Sequence, residues 1–188
     1  LKKEDLAGLK ELDANGRGKS KSEQVSDLTG LEHCTSLENL QLYDNLQISD
    51  LSPISKLFTL KTLVIAGNKS QDITPLSNLT NLAILNIHYN QVSNFSSLSN
   101  LTNLEFFVGA GNQITDINPL LKLSKLYHLH LEGNQINDLS VLSTLTNLKN
   151  LWLNRNKVTD IGVLSNLPQL TELRLDDNQI SDITSLVE

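Results

Sequence analysis

"LYHLHLEGNQINDL", Leu126 to Leu139, decides the fold. His128, His130 and Glu132 alternate there with Leu129 and Leu131. On a strand, alternate residues point to one face. Two imidazoles and a carboxylate on one face could form a metal site or an acid/base pair. Yet the same phrase recurs along the chain. Leu60, Leu82, Leu104, Leu126, Leu148 and Leu170 fall at a fixed step of 22. Each opens a version of L-x-x-L-x-L-x-x-N, as in "LAILNIHYN", "LKNLWLNRN" and "LTELRLDDN". The asparagines are Asn45, Asn68, Asn90, Asn112, Asn134, Asn156 and Asn178, spaced by 22 except for a first interval of 23. Behind them runs x-I-x-D-I-x-x-L-x-x-L, as in Gln113 to Leu123. Its acidic column is Asp27, Asp50, Asp72, Asp116, Asp138, Asp160 and Asp182, with Asn94 substituting once.

One such unit cannot bury its own apolar face, so it must stack on its neighbours. In the unit from Leu126, the side chains of Leu129, Leu131, Ile136, Leu139, Leu142 and Leu145 also turn inward. Each fully buried one stabilises by about 1.5–3 kcal/mol. The L-x-L segments then pair in parallel, about 4.8 Å apart, and seven of them form a curved sheet roughly 30 Å across. The Asn column sits where the chain leaves each strand. Its amides can bond turn groups that lack partners and so form a structural ladder. The D-I-x-x-L arc, with Pro53, Pro75 and Pro119 in one column, reads as 3₁₀ or extended structure on the convex side.

These phrases cover nearly the whole chain, which resembles the leucine-rich repeat proteins. The 22-residue step with D-I-x-x-L is similar to the bacterial internalin-like subclass, and also to cytosolic phosphatase-regulator repeats of that length. The resemblance implies an α/β fold. It would be a leucine-rich repeat solenoid with a parallel concave β-sheet, a 3₁₀/extended convex side and a short N-terminal helical cap.

Residues 1–36 read as that cap plus a degenerate first repeat, and 37–188 as tandem 22-residue repeats, the last truncated. "KKEDLAGLKEL" has Leu6, Leu9 and Leu12 at helical spacing. In the degenerate repeat Arg17 stands where Asn is expected, and about six residues near "GKSKSE" form an exposed insertion. At the other end, "ISDITSLVE" stops within a repeat. An open apolar end and the missing initiator Met lead us to expect a piece of a longer protein.

Composition narrows the function. The net charge is −6, which disfavours a nucleic-acid partner. No apolar run approaches the roughly 20 residues of a membrane span. Cys34 is the only cysteine, so no internal disulfide forms; it aligns with the core positions Leu79, Leu101 and Leu123. "GRGKS", Gly16 to Ser20, has Asp13 where a phosphate loop needs its first Gly, and reads as a solvated loop.

Aligning the repeats settles the opening question. The residues between the leucines face the concave side in three columns. The first is Asn39, Thr62, Ile84, Phe106, His128, Asn150 and Glu172; the second is Gln41, Val64, Asn86, Val108, His130, Trp152 and Arg174. The third includes His88, Ala110, Glu132 and Asn154, with Tyr89 and Arg155 just beyond it. The His-x-His-x-Glu run therefore occupies variable slots. A three-ligand metal site would need help from other strands, no nucleophile–base–orienter set is visible, and no cofactor or metal is expected. Ile84, Phe106, Val108, His128, His130 and Trp152 instead make a contiguous apolar and aromatic patch that the fold leaves uncovered. Aromatic anchors ringed by polar groups are typical of protein-binding hot spots. The expected ligand-binding residues are these six with His88, Tyr89, Glu132, Asn154 and Arg155.

The expected function is a non-catalytic recognition module of a bacterial surface or secreted protein, extracellular and resembling internalins. Its ligand would be a protein, with a glycan as the other option. The alternative is a cytoplasmic scaffold that regulates a phosphatase or another enzyme. One position stands out as weak: Gly109 occupies a slot for Leu or Ile. It leaves either a void or a space for Phe107.

Overall fold

The computed structural model describes residues 6–186. Among these residues, eight short strands form one parallel sheet in sequential order. They are β1 (Glu11–Asp13), β2 (Asn39–Gln41), β3 (Thr62–Val64), β4 (Ile84–Asn86), β5 (Phe106–Val108), β6 (His128–His130), β7 (Asn150–Trp152) and β8 (Glu172–Arg174). Strand follows strand at one register, with Ile84 opposite Phe106, Phe106 opposite His128, and His130 opposite Trp152. The leucine alignment thus reproduces the columns. The return arcs are 3₁₀ turns, and Pro53, Pro75 and Pro119 each sit in the first turn of theirs. There a missing N–H leaves no bond unmade.

The Asp column starts these turns. Asp50, Asp72, Asp116, Asp138, Asp160 and Asp182 each accept the N–H two residues on through Oδ1, at 2.8 Å, and Asn94 does the same at 2.7 Å. This is local Asx-turn chemistry. The core is a continuous stack of leucine and isoleucine from Leu28 to Leu167, with Cys34 buried in it.

The ladder runs through the turns that leave the strands. Asn134 Nδ2 donates to Leu131 C=O in its own repeat and to Gly109 C=O in the preceding one, both at 3.0 Å. Its Oδ1 accepts from Ile114 N–H, also at 3.0 Å. Asn90, Asn112, Asn156 and Asn178 repeat the pattern. Asn45 bonds likewise to Ala14 C=O, Leu42 C=O and Val25 N–H. Asn68 departs from it: Nδ2 bonds Leu42 and Ile65, but the buried Oδ1 has no partner. The cause is the 23-residue interval. The extra residue near Leu46, which takes φ 57°, shifts the N–H that would reach Asn68.

The helical reading of Lys2 to Leu12 is corrected at its end: Leu6 is helical, but Glu11 and Leu12 lie in a strand. Residues 1–5 lie outside the described residues, and a helical cap is not confirmed. Glu11, Leu12 and Asp13 form β1, paired with Asn39, Leu40 and Gln41, so the sheet has eight strands where seven were expected. Leu9 and Leu12 are three apart because L-x-x-L belongs to the repeat phrase, a spacing that a helix shares. The insertion lies where expected. Val25, whose N–H reaches Asn45 Oδ1, is eight residues past Arg17, where the regular ladder has two. Residues 17–23 are exposed.

Gly109 leaves no void. A Cβ there would lie 2.9 Å from Cζ of both Phe107 and Phe95. Those two rings meet edge to face at 5.2 Å and fill the space of the missing leucine.

Candidate functional site

The strands set one slot of each column side by side, about 4.8 Å apart. On the concave face this turns the aromatic residues into a stack. Phe106 and His128 lie parallel, with ring centres 3.9 Å apart. His128 meets His130 at 3.9 Å, and His130 lies parallel to Trp152 at 3.6 Å. The Arg174 guanidinium covers the other face of Trp152 at 3.7 Å. Glu172 anchors this end. It accepts from Trp152 Nε1 at 3.0 Å, Asn150 Nδ2 at 2.7 Å and Arg174 Nη2 at 3.1 Å. The Asn150 bond, foremost among these contacts, holds the Glu172 carboxyl below its usual range, against a smaller opposing effect of burial.

The expectation of a wholly solvent-facing patch is corrected. Ring against ring, this packing leaves Val108 at 7% and His130 at 8% exposure, while Phe106, His128 and Trp152 are half-buried. Ile84 stays exposed beside Phe106. His88 and Tyr89 follow β4, their rings in edge contact at 3.9 Å. Tyr89 is exposed and takes φ 48°. It belongs to a left-handed column just before the ladder asparagines, where Gly67, Gly111 and Gly133 also have positive φ. Its ring covers Gly111 so closely that a Cβ there would strike it. Glu132 and Asn154 are half-buried beyond β6 and β7. Arg155 stands apart at the rim, paired with Asp177 at 3.4 Å.

Burial, more than any charge, sets the histidines. It lowers the pKa of His88, against Glu132 and Asp44. It lowers that of His128, against Asn150 and Glu172. His130 is pushed down to about 4, by burial first and by His128 second. All three imidazoles are neutral at physiological pH. Among the described residues, four polar atoms on this face are buried without a hydrogen-bond partner: His128 Nε2, His130 Nε2, Glu132 Oε2 and Asn154 Oδ1. Among the described residues, no group of three His, Cys, Asp or Glu side chains is placed to hold a metal ion. Sequence reasoning left Asn150, Glu172 and Arg174 out of the site. Their signal was adjacency: Glu172 and Arg174 flank Trp152 one strand over.

A parallel sheet of short strands, 3₁₀ returns and an asparagine ladder define a leucine-rich repeat solenoid. A family model described as "Leucine Rich repeats (2 copies)" matches residues 146–188. The crystal structure of internalin C2 from Listeria monocytogenes is similar, with 34% identity and a TM-score of 0.93, covering 100% of this chain and 80% of that one. A leucine-rich repeat protein of Leptospira interrogans shares 30% identity at a TM-score of 0.83, over 95% of this chain and 45% of the other. The leucine-rich repeat ectodomain of the Arabidopsis thaliana receptor kinase GASSHO1/SCHENGEN3, in complex with Casparian strip integrity factor 2, shares 26% identity at a TM-score of 0.77, over 86% and 21%. No curated protein matches. The chain belongs to the bacterial internalin-like leucine-rich repeat family. Such repeats are typically protein-interaction modules. No helix among the described residues is long and apolar enough to cross a membrane.

Proposed function

We propose that this chain is a non-catalytic recognition module of a bacterial surface or secreted protein, and that it holds a protein ligand on its concave face. The observation that carries this reading is the contiguous row of rings Phe106–His128–His130–Trp152 over β5, β6 and β7, stacked at its two outer pairs and tilted at the central one. A preformed stack supplies rigid, amphipathic contact area with little rotamer entropy left to lose on binding. The histidines favour recognition over acid/base work, because their rings are wedged between Phe106 and Trp152 and burial, by pushing His130 down to about 4, leaves it a weak base. Similarity to internalin C2 supports a surface or secreted setting. The receptor-ectodomain relative, in its complex with Casparian strip integrity factor 2, supports a polypeptide ligand.

The test is a selection of peptides from a displayed random library on the immobilised protein. Binding of the selected peptides is then measured by fluorescence anisotropy. Phe106→Ala and Trp152→Ala should each weaken binding about 30-fold, the hot-spot scale. Leu121→Ala, an exposed control outside the concave columns, should bind as wild type does. Equal affinities across all four proteins would reject the concave face.

A further inference from the structure

We propose, building on the concave-face reading, that His130, Glu132, Trp152 and Asn154 form a subsite for a cationic side chain of the ligand, a lysine or an arginine. The four residues form a two-by-two block. His130 and Glu132 are two apart along one strand direction, and Trp152 and Asn154 lie beside them. The backbone bonds Leu131 N–H to Trp152 C=O at 2.8 Å and Gly133 N–H to Asn154 C=O at 3.0 Å fix that register.

Within the block, His130 Nε2, Glu132 Oε2 and Asn154 Oδ1 are buried and unpartnered, and His130 as a whole is only 8% exposed. A carboxylate oxygen and an amide oxygen accept hydrogen bonds, and a neutral imidazole accepts at one nitrogen. The block gathers acceptors, and what it lacks is a donor-rich group. An ammonium brings three donors and a guanidinium five. Glu132 has no lysine or arginine partner among the described residues, whereas Glu172, one strand beyond Trp152, pairs with Arg174 at 3.1 Å. His130 and Arg174 cover both faces of the indole, so Trp152 walls the subsite and the unpartnered acceptors of His130, Glu132 and Asn154 do the binding.

The surrounding charge agrees. The chain carries a net charge of −6. Glu132 and Asp44 act together on His88, while Arg155 and Arg174 are already paired. Glu132 and Asn154 are half-buried, so a rotamer change brings their unpartnered oxygens to an incoming donor.

The experiment uses the ¹⁵N-labelled 188-residue chain. It is titrated with N-acetyl-lysine methylamide, N-acetyl-arginine methylamide and the neutral N-acetyl-norleucine methylamide. The cationic probes should shift the amides of Glu132 and Asn154 and the Trp152 indole N–H in a saturable way, and norleucine should not. Glu132→Gln, nearly isosteric, should weaken the response about tenfold, the scale of one charge-assisted bond. Glu105→Gln, an exposed carboxylate outside the block, should leave it unchanged. No response, an equal response to norleucine, or an unchanged response in Glu132→Gln overturns the subsite. So does saturable binding of Zn²⁺ alone, lost in His128→Ala and His130→Ala, with no response to the cationic probes. The selected peptides separate the two readings. Peptides without lysine or arginine that bind Glu132→Gln as tightly as wild type, yet lose affinity with Trp152→Ala, overturn the subsite and leave the concave face standing. Peptides insensitive to both Trp152→Ala and Phe106→Ala overturn the concave face itself.

Discussion

Asn134→Ala removes one rung of the ladder, and the structure sets what is lost. Gly109 C=O keeps a bond from Asn112 Nδ2 at 3.1 Å, and Leu131 C=O keeps one from Asn156 Nδ2 at 2.9 Å. Each carbonyl is therefore weakened without being stranded. Ile114 N–H is different: its acceptor is Asn134 Oδ1, and the substitution leaves it buried and unpaired. An orphaned buried N–H costs about 1–3 kcal/mol, and the two weakened carbonyls add roughly 0.5 kcal/mol each. The expected loss is about 3 kcal/mol, read as a lower urea midpoint and faster exchange of the Ile114 amide.

Asn68 is a control built into the chain. Its Nδ2 makes the same two kinds of bond, but its Oδ1 accepts none. Asn68→Ala strands no N–H and should cost only about 1 kcal/mol. Gln135→Ala, which removes an exposed bond to Lys157, should cost less than about 0.5 kcal/mol. Equal losses for Asn134→Ala and Asn68→Ala would refute the reasoning that the Oδ1 bond carries the difference.

Three further outcomes are expected. Gly109→Ala places a Cβ 2.9 Å from two phenylalanine rings and should cost about 1–3 kcal/mol by thermal melting, while Gly8→Ala, with open space around it, should be near neutral. His130 has a folded pKa of about 4 against an ordinary 6.5, so the unfolded chain takes up its proton first. Stability should therefore fall between pH 6.5 and 4, and His130→Phe, which keeps a ring in the stack, should lose about 3 kcal/mol less over that window in urea titrations. In the 188-residue chain Leu173 and Leu175 are half-buried and Ile183 is exposed. Amides of β8 should exchange faster than those of β6, and equal protection would contradict this.

The fold was legible because one step of 22 fixes strand, turn and arc together, and leucines that must face inward leave a single register. The 23-residue interval was visible too, though its effect, the missing acceptor bond at Asn68, needed the backbone path. β1 was hidden because L-x-x-L satisfies a helix and a repeat equally. The candidate face was legible as columns and not as contacts. Sequence places Phe106, His128, His130 and Trp152 on neighbouring strands, but side-chain torsions decide that they stack and bury one another. Glu172 and Arg174 stand in the same columns, but only their contacts show that they clamp Trp152. The left-handed column at Tyr89 could have been inferred, since Gly stands in that slot at positions 67, 111 and 133.

Trp152 is the only tryptophan, so its emission reports on the proposed face without labelling. The most direct measurement titrates a library-selected peptide that lacks tryptophan into the protein, following Trp152 emission and the anisotropy of the labelled peptide in parallel. The account predicts a saturable change in Trp152 emission with the same midpoint as the anisotropy, and a midpoint about 30-fold higher in both signals for Phe106→Ala. Full binding by anisotropy, with Trp152 emission unchanged and Phe106→Ala binding as tightly as wild type, would contradict it.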